Sequence, residues 1–353
     1  MKRFAAQRLR EIGSRVFVAC GASPEEANLV TNELVETSLM GIDSHGVIRI
    51  PQYVDDVRTG RVKPGAAIRV EKETPATAIV DCGWNFGAVS AMRLVEVVWQ
   101  KAKRQNVACV VGTNCNHVGR LGAYVQKLAE RGMLAIATAN GTKRAHWVTP
   151  WAGREGRLAT NPLAYGIPTN ASPVILDMST SMISAGRIRV SLHGAEPVPE
   201  GRILDADGNP TTNPEDFYGP PMGSILPFGS QLGYKGFALG VLVEVLGRTL
   251  AGLSIGEEGT EYELGNGVCL IAIDPDAFCG LETFKRLMDE LCTYITSAAP
   301  APGHRQVRMP GGLDFETRAE RLANGIPVDD TTWELILEAA EKVGAQLDDA
   351  EVS

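Results

Sequence analysis

The chain has 353 residues, 44% hydrophobic and 22% charged, with a net charge of −8 at pH 7. That composition describes a globular protein with apolar mass for one large domain or two ordinary ones. The acidic balance, with no basic stripe, excludes a nucleic-acid binder driven by phosphate contacts, and no apolar run reaches the roughly 20 residues that span a membrane.

Phe4, Leu9, Ile12 and Val16 recur at helical spacing and predict an amphipathic helix in place of a secretory signal. Ser23-Pro24-Glu25-Glu26 opens a second helix, with Ser23 as N-cap, Pro24 at the first helical position and Glu26 completing a capping box. Gly41 supplies a left-handed stop. Strands are expected over 78–82, 107–111, 134–139, 173–178 and 268–273, and helices over 88–105, 121–131, 236–249 and 281–298. Residues 186–230, rich in Gly, Pro, Asp and Asn, read as mostly loop and turn. The run Ala299-Pro300-Ala301-Pro302-Gly303 ends the long helix, and Thr331 with Glu334 suggests a second capping box near the C-terminus. Strands alternating with helices, between helical ends, place the chain in the α/β class. The seven cysteines are scattered, odd in number and without a CxxC pair, which argues against a disulfide framework or structural zinc and for a reducing cytoplasm.

Five clusters carry chemistry. Behind Gly41, Ser44, His45, Arg49 and Tyr53 stand within ten residues, in a chain with five histidines. Imidazole shuttles a proton near neutral pH, and guanidinium grips a carboxylate with two parallel hydrogen bonds, so the group suits a small organic acid; a capped helix end with solvated polar groups explains it too. Arg49 and Tyr53, four residues apart, share a helical face. The second cluster, with His117, Gly119 and Gly122, falls between a strand and a helix, where ligands gather in α/β proteins. His117 is a second candidate acid or base there, or a structural histidine. Thr160 and Asn161 lie in a polar turn on an apolar segment. Asp177 closes a strand, where an acid can orient a histidine, accept from a ribose hydroxyl, or cap a helix. Lys235 opens an apolar helix after a glycine loop and suits a diphosphate. Neither a Walker A pattern nor a GxGxxG fingerprint occurs, so a nucleotide site cannot rest on a Rossmann motif.

In this order the clusters resemble the malate/L-lactate dehydrogenase family of the non-Rossmann type, which includes ureidoglycolate and sulfolactate dehydrogenases and Δ1-piperideine-2-carboxylate reductases. The matching segments are DSHGVIRIPQY at 43–53, NHVGRLGAY at 116–124, ATNPLAYGIP at 159–168, LDMSTS at 176–181, LPFGSQLGYKGFAL at 226–239, and MPGG with RLANGIPV within 309–328. The resemblance implies a mixed-sheet fold that binds NADH or NADPH, a homodimer, and hydride transfer between nicotinamide and C2 of a 2-hydroxy acid, 2-oxo acid or cyclic imine. It assigns proton transfer to Ser44, His45, Asp177 and His117, and substrate binding to Arg49, with Tyr53 and Thr160 beside it. Cofactor contacts fall on His117, Gly119, Gly122, Thr138, Asn140, Asn161, Asp177, Met178, Ser179, Lys235, Arg308 and Gly311; no metal is implied. A catalytic and dimerisation region of 1–110 with 290–353 and a cofactor-binding region of 111–289 are the expected division. Tyr234, Gly312 and Arg187 stand where the family more often has a histidine, an acid and a lysine.

Three other functions compete. A Ser44-His45-Asp177 hydrolase lacks a GxSxG elbow, and adjacent Ser and His rarely point at each other. A metal-dependent hydrolase on His45 and His117 lacks a close third ligand. A non-catalytic protein binding small acids is the third.

Overall fold

The computed structural model describes residues 2–194, 196–255 and 265–347. β1 (Lys2–Phe4) leads into α1 (Ala6–Ala19) and α2 (Pro24–Leu39). α1 buries Leu9, Ile12 and Val16 as their spacing predicts, and Phe17 with them, whereas Phe4, expected in the same helix, lies in β1. The α2 capping box is complete: Ser23 Oγ accepts the Glu26 N–H at 3.2 Å and the Glu26 carboxylate accepts the Ser23 N–H at 3.4 Å. Gly41, at φ +82, turns the chain off this helix, a conformation costly for any residue with a Cβ. Two 3-10 turns, Asp43–His45 and Val47–Arg49, then run into α3 (Ile50–Arg58).

The expected alternation follows as β2 (Arg69–Glu73), β3 (Thr77–Asp81), α4 (Gly87–Gln105), β4 (Val107–Cys115), α5 (Gly122–Glu130), β5 (Leu134–Gly141), β6 (Leu163–Ile167) and β7 (Val174–Met178). Next come α6 (Ala185–His193), β8 (Ile203–Leu204), β9 (Pro210–Thr211), α7 (Pro214–Tyr218), β10 (Ser224–Ile225) and α8 (Tyr234–Gly247). The chain ends with β11 (Asn266–Ile273), α9 (Leu281–Thr296), α10 (Gly312–Asn324), β12 (Ile326–Val328) and α11 (Asp330–Lys342). The main sheet has seven strands in the order β2-β3-β4-β11-β5-β6-β7. Only β3 and β4 pair in parallel, through the α4 crossover, and the other neighbours are antiparallel. This is the expected mixed α/β sheet.

Three cores hold the molecule. Under the sheet, α4 and α5 bury Leu94, Val98, Tyr124 and Leu128 against Val110, Ala137 and Leu270, and each large side chain so buried contributes about 1.5–3 kcal/mol. A second core joins α1, α2 and α3 to β12 and α11, so both ends of the chain meet. The third gathers Val148, Leu158, Ile188, Ile203, Phe217 and Ile225. The expectation of mostly loop and turn over 186–230 holds, with α6, α7 and three two-residue strands set among the turns where their few apolar residues reach this core. The second capping box needs correction. α11 is capped by Asp329, whose carboxylate accepts the Thr332 N–H at 2.8 Å and hydroxyl at 2.7 Å. Thr331 therefore lies inside the helix.

Candidate active site

The turn holding Ser44 and His45 is braced from the far end of the chain. Arg321 of α10 grips Asp43 with both ends of its guanidinium, at 2.5 and 3.0 Å, and also donates to the Ser38 carbonyl. Within the turn Ser44 Oγ lies 2.9 Å from His45 Nδ1, against the expectation that these neighbours point apart; the tight 3-10 geometry brings them together. Arg49 Nε donates to the Ser44 carbonyl at 2.7 Å and Nη1 to Gln52 Oε1 at 2.5 Å. Among the described residues Arg49 has no carboxylate partner, and its Nη2 has no hydrogen bond.

His117 stands in the loop between β4 and α5, and that loop is pinned on several sides. The buried Asn116 amide faces the carbonyls of Arg61, Trp84 and Asn85 at 3.1, 2.8 and 3.1 Å. Val118 N–H donates to Asn266 Oδ1 at 3.3 Å, and the Tyr124 hydroxyl donates to the Val118 carbonyl. A Cβ on Gly87 would collide with the His117 carbonyl, so only glycine lets α4 approach so closely. Tyr53, expected against the substrate, is 5% exposed and turns its hydroxyl to His117 Nδ1 at 2.8 Å. The rings of His45 and His117 stack, 5.4 Å between centroids and 27° between planes. Burial, and then the Arg49 charge, pushes the His45 pKa down to about 4. Burial likewise takes His117 well below the ordinary imidazole range, helped by Arg49 and His45. Both rings are neutral at pH 7. Behind them a cavity of about 10 Å³, roughly the space of one water, is lined by Glu33, Thr37, His45, Tyr53, Arg120 and Tyr124 among others.

Asp177, at the end of β7, accepts the Gly122 N–H at 2.6 Å and so caps the start of α5. Burial raises its pKa, opposed by that N–H and by Arg120. Its hydrogen bonds go to α5 and not to either histidine, so Ser44, His45 and Asp177 form no hydrolase triad. Among the described residues no three His, Cys, Asp or Glu side chains converge as a metal site.

The other segments meet at one end of the sheet. The Thr160 carbonyl accepts the Thr180 N–H at 3.0 Å, the Thr180 carbonyl accepts the Phe228 N–H at 2.8 Å, and the Phe228 carbonyl accepts the Gly236 N–H at 3.1 Å. This ladder ties the segment after β7 to the loop that leads into α8. Ser179 Oγ donates to the Ser181 carbonyl at 3.0 Å. The α8 N-terminus has no side-chain cap and no acid in its first turn, and Lys235 is exposed beside it. A helix N-terminus with a cation beside it suits a diphosphate. On β5 the Thr138 hydroxyl is buried without a hydrogen bond. This set fits a phosphate-bearing cofactor. Gly311 sits at φ +81 where its loop meets β7, through the Ile175 N–H on the Pro310 carbonyl at 3.2 Å. Arg308 is exposed and paired with Glu316 at 2.9 Å.

Asn140 and Asn161 are engaged elsewhere. Their Nδ2 groups donate to the two oxygens of Glu244, at 2.8 and 3.1 Å, and Asn140 Oδ1 accepts the Gly267 N–H at 2.9 Å. Glu244 escaped the sequence reading, although an acid inside an apolar helix was a signal. Arg321 and Gln52, which position Ser44 and Arg49, were also missed.

The malate/L-lactate dehydrogenase family model matches residues 4–337. Hydroxycarboxylate dehydrogenase B of Escherichia coli O157:H7 is 32% identical, with 97% of this chain and 94% of that protein covered. L-sulfolactate dehydrogenase of Methanocaldococcus jannaschii is 34% identical over 93% of this chain and 94% of its own. The solved structure of malate dehydrogenase from Pyrococcus horikoshii OT3 superposes with a TM-score of 0.88 at 31% identity, covering 98% and 96% of the two chains. The match thus runs through all the segments that build the imidazole pair, the free arginine and the α8 terminus, and the chain belongs to the malate/L-lactate dehydrogenase family of hydroxy-acid oxidoreductases.

Proposed function

We propose that the chain transfers hydride between a nicotinamide cofactor and C2 of a small 2-hydroxy or 2-oxo acid, with Arg49 holding the substrate carboxylate and His117 carrying the proton. The observation behind this reading is a guanidinium with no carboxylate partner beside two stacked neutral imidazoles. The nicotinamide supplies the redox chemistry, and the protein supplies binding, orientation and charge. Arg49 fixes which face of C2 is presented, a positioning effect. A neutral imidazole serves as the base that takes the hydroxyl proton during oxidation, worth about 10²–10⁴-fold in rate. Tyr53 sets the tautomer: with the His117 Nδ1–H donated to the tyrosine oxygen, Nε2 keeps the lone pair that receives the proton. Two imidazolium rings this close repel, so the pair carries one proton at a time. In the reduction direction the carboxylate bound on Arg49 offsets the charge that adds to burial in keeping the rings neutral, and a proton is taken up with the substrate.

Lys235 and the α8 N-terminus hold the cofactor diphosphate in this reading, with Thr138, Met178 and Ser179 along the sheet end and Arg308 and Gly311 closing its edge. A homodimer is supported by α9, which buries no residue while leaving Leu287, Leu291 and Tyr294 exposed. The seven free thiols fit a reducing compartment such as the cytoplasm. The deciding assay follows cofactor absorbance with NADH and NADPH separately against pyruvate, oxaloacetate, 2-oxoglutarate, sulfopyruvate, oxalurate and Δ1-piperideine-2-carboxylate. Oxidation of either cofactor by an acid is expected. No oxidation and no cofactor binding would overturn the proposal in favour of a protein that binds small acids without turnover.

A further inference from the structure

α6 follows directly on the cofactor segment, and its first turn lies against the substrate arginine. A Cβ built on Gly186 falls 3.9 Å from Arg49 Nη2 and 3.9 Å from Ser44 Cβ. The helix is started by Ser184, whose hydroxyl accepts the Arg187 N–H at 3.4 Å, and anchored by the fully buried Ile188. Arg189 is three residues beyond Gly186 and therefore on the same helical face, towards Ser44 and Arg49. Arg187 is one residue from Gly186, about a quarter turn off that face. The Arg189 side chain is exposed and makes no hydrogen bond or ion pair among the described residues. Burial lowers the Arg49 pKa, and the Arg189 charge adds to that, as a cation facing a cation does. Nothing on the opposing elements neutralises the pair fully: Asp56 acts on Arg49 from α3, but its carboxylate is already bonded to Arg61 and Gln52.

We propose that Arg189 is a second anion clamp, so that the site selects 2-oxo and 2-hydroxy acids bearing a second anionic end, a carboxylate or a sulfonate, over singly charged acids. This rests on the reading of Arg49 as the clamp for the first carboxylate. A singly charged acid leaves one guanidinium of the pair without an anion, whereas a doubly charged acid places one anion on each. The two sources of the second anion share this chemistry, and oxaloacetate against sulfopyruvate separates them.

The test compares kcat/KM for oxaloacetate, sulfopyruvate and pyruvate in the wild-type chain and in Arg189→Gln and Arg189→Lys. The wild type is expected to favour the doubly charged acids. Arg189→Gln should reduce the oxaloacetate-to-pyruvate ratio about 10- to 100-fold, mainly through KM, as loss of one charge-assisted contact does, and Arg189→Lys should restore part of it. Binding is read independently from the melting temperature. L-malate should raise it more than L-lactate in the wild type, and that difference should collapse in Arg189→Gln. A ratio unchanged by Arg189→Gln, or a wild type that favours pyruvate, overturns the second clamp while leaving the oxidoreductase reading intact. If no acid turns over, the oxidoreductase reading fails, and equal melting shifts with malate and lactate would overturn the clamp by themselves.

Discussion

His45 and His117 stack with their ring centroids 5.4 Å apart, and each has a different orienting partner: Ser44 Oγ on His45 Nδ1 and Tyr53 Oη on His117 Nδ1. With Nδ1 engaged, each ring has Nε2 left for proton transfer, and burial with Arg49 keeps both neutral at pH 7. An enzyme that oxidises a 2-hydroxy acid with such a base should keep its kcat/KM well below the pH where an ordinary histidine protonates, near 6.5. We expect the acid limb of the kcat/KM profile below pH 5. His117→Asn should remove that limb and lower kcat about 10²–10⁴-fold, whereas His45→Asn should retain it. The reverse pattern would move the proton to His45.

The same depressed pKa makes stability fall with acid. His45 titrates near 6.5 when unfolded and near 4 when folded, so the unfolded state binds the extra proton across that window. The stability from keeping the ring neutral is complete above pH 6.5 and is lost as pH falls through 4, an amount of about 3 kcal/mol. Urea unfolding at pH 7 and pH 4.5 should show a smaller loss in His45→Gln than in the wild type. Equal losses would show that the ring is not desolvated.

Tyr53 separates a positioning role from a substrate contact. Its hydroxyl is buried and bonded to His117, so Tyr53→Phe should leave the carboxylate site whole while freeing the imidazole to rotate and change tautomer. We expect kcat to fall about ten-fold or more, KM for the acid to change little, and the acid limb of the pH profile to shift. A rise in KM with kcat unchanged would return Tyr53 to the substrate.

The fold was legible wherever a periodic apolar stripe coincided with a capping residue, as in α2, where Ser23 and Glu26 predict a box that forms. It was illegible where tertiary contacts decide. Seven scattered apolar residues between 148 and 225 close a small core that no window of sequence displays. At C-terminal α11 a carboxylate two residues earlier, Asp329, takes the cap from Thr331. In the site, Ser44, His45, Arg49 and His117 were readable as residue types, and the structure brings them together. Their supports were not, because Arg321 lies 278 residues from Asp43 and Glu244 lies 104 from Asn140. Of the three roles the sequence leaves open for Asp177, a histidine partner, a ribose contact or a helix cap, its carboxylate takes the third, on the Gly122 N–H.

Arg49 also shows what a single substitution can decide. Two of its N–H groups are committed inside the protein, Nε to the Ser44 carbonyl and Nη1 to Gln52. The grip on a carboxylate falls to Nη2 and the remaining Nη1 hydrogen, an end-on fork that ammonium cannot reproduce. Lysine at this position would keep the charge, lose the fork, and lose the bonds to the Ser44 carbonyl and to Gln52. Arg49→Lys should therefore raise KM for the acid about 10- to 100-fold, with KM for the nicotinamide cofactor unchanged because Lys235 and the α8 terminus are untouched. If KM for the acid stayed the same, the carboxylate would have to bind elsewhere, and the unpaired guanidinium would be a structural brace for the Ser44 turn.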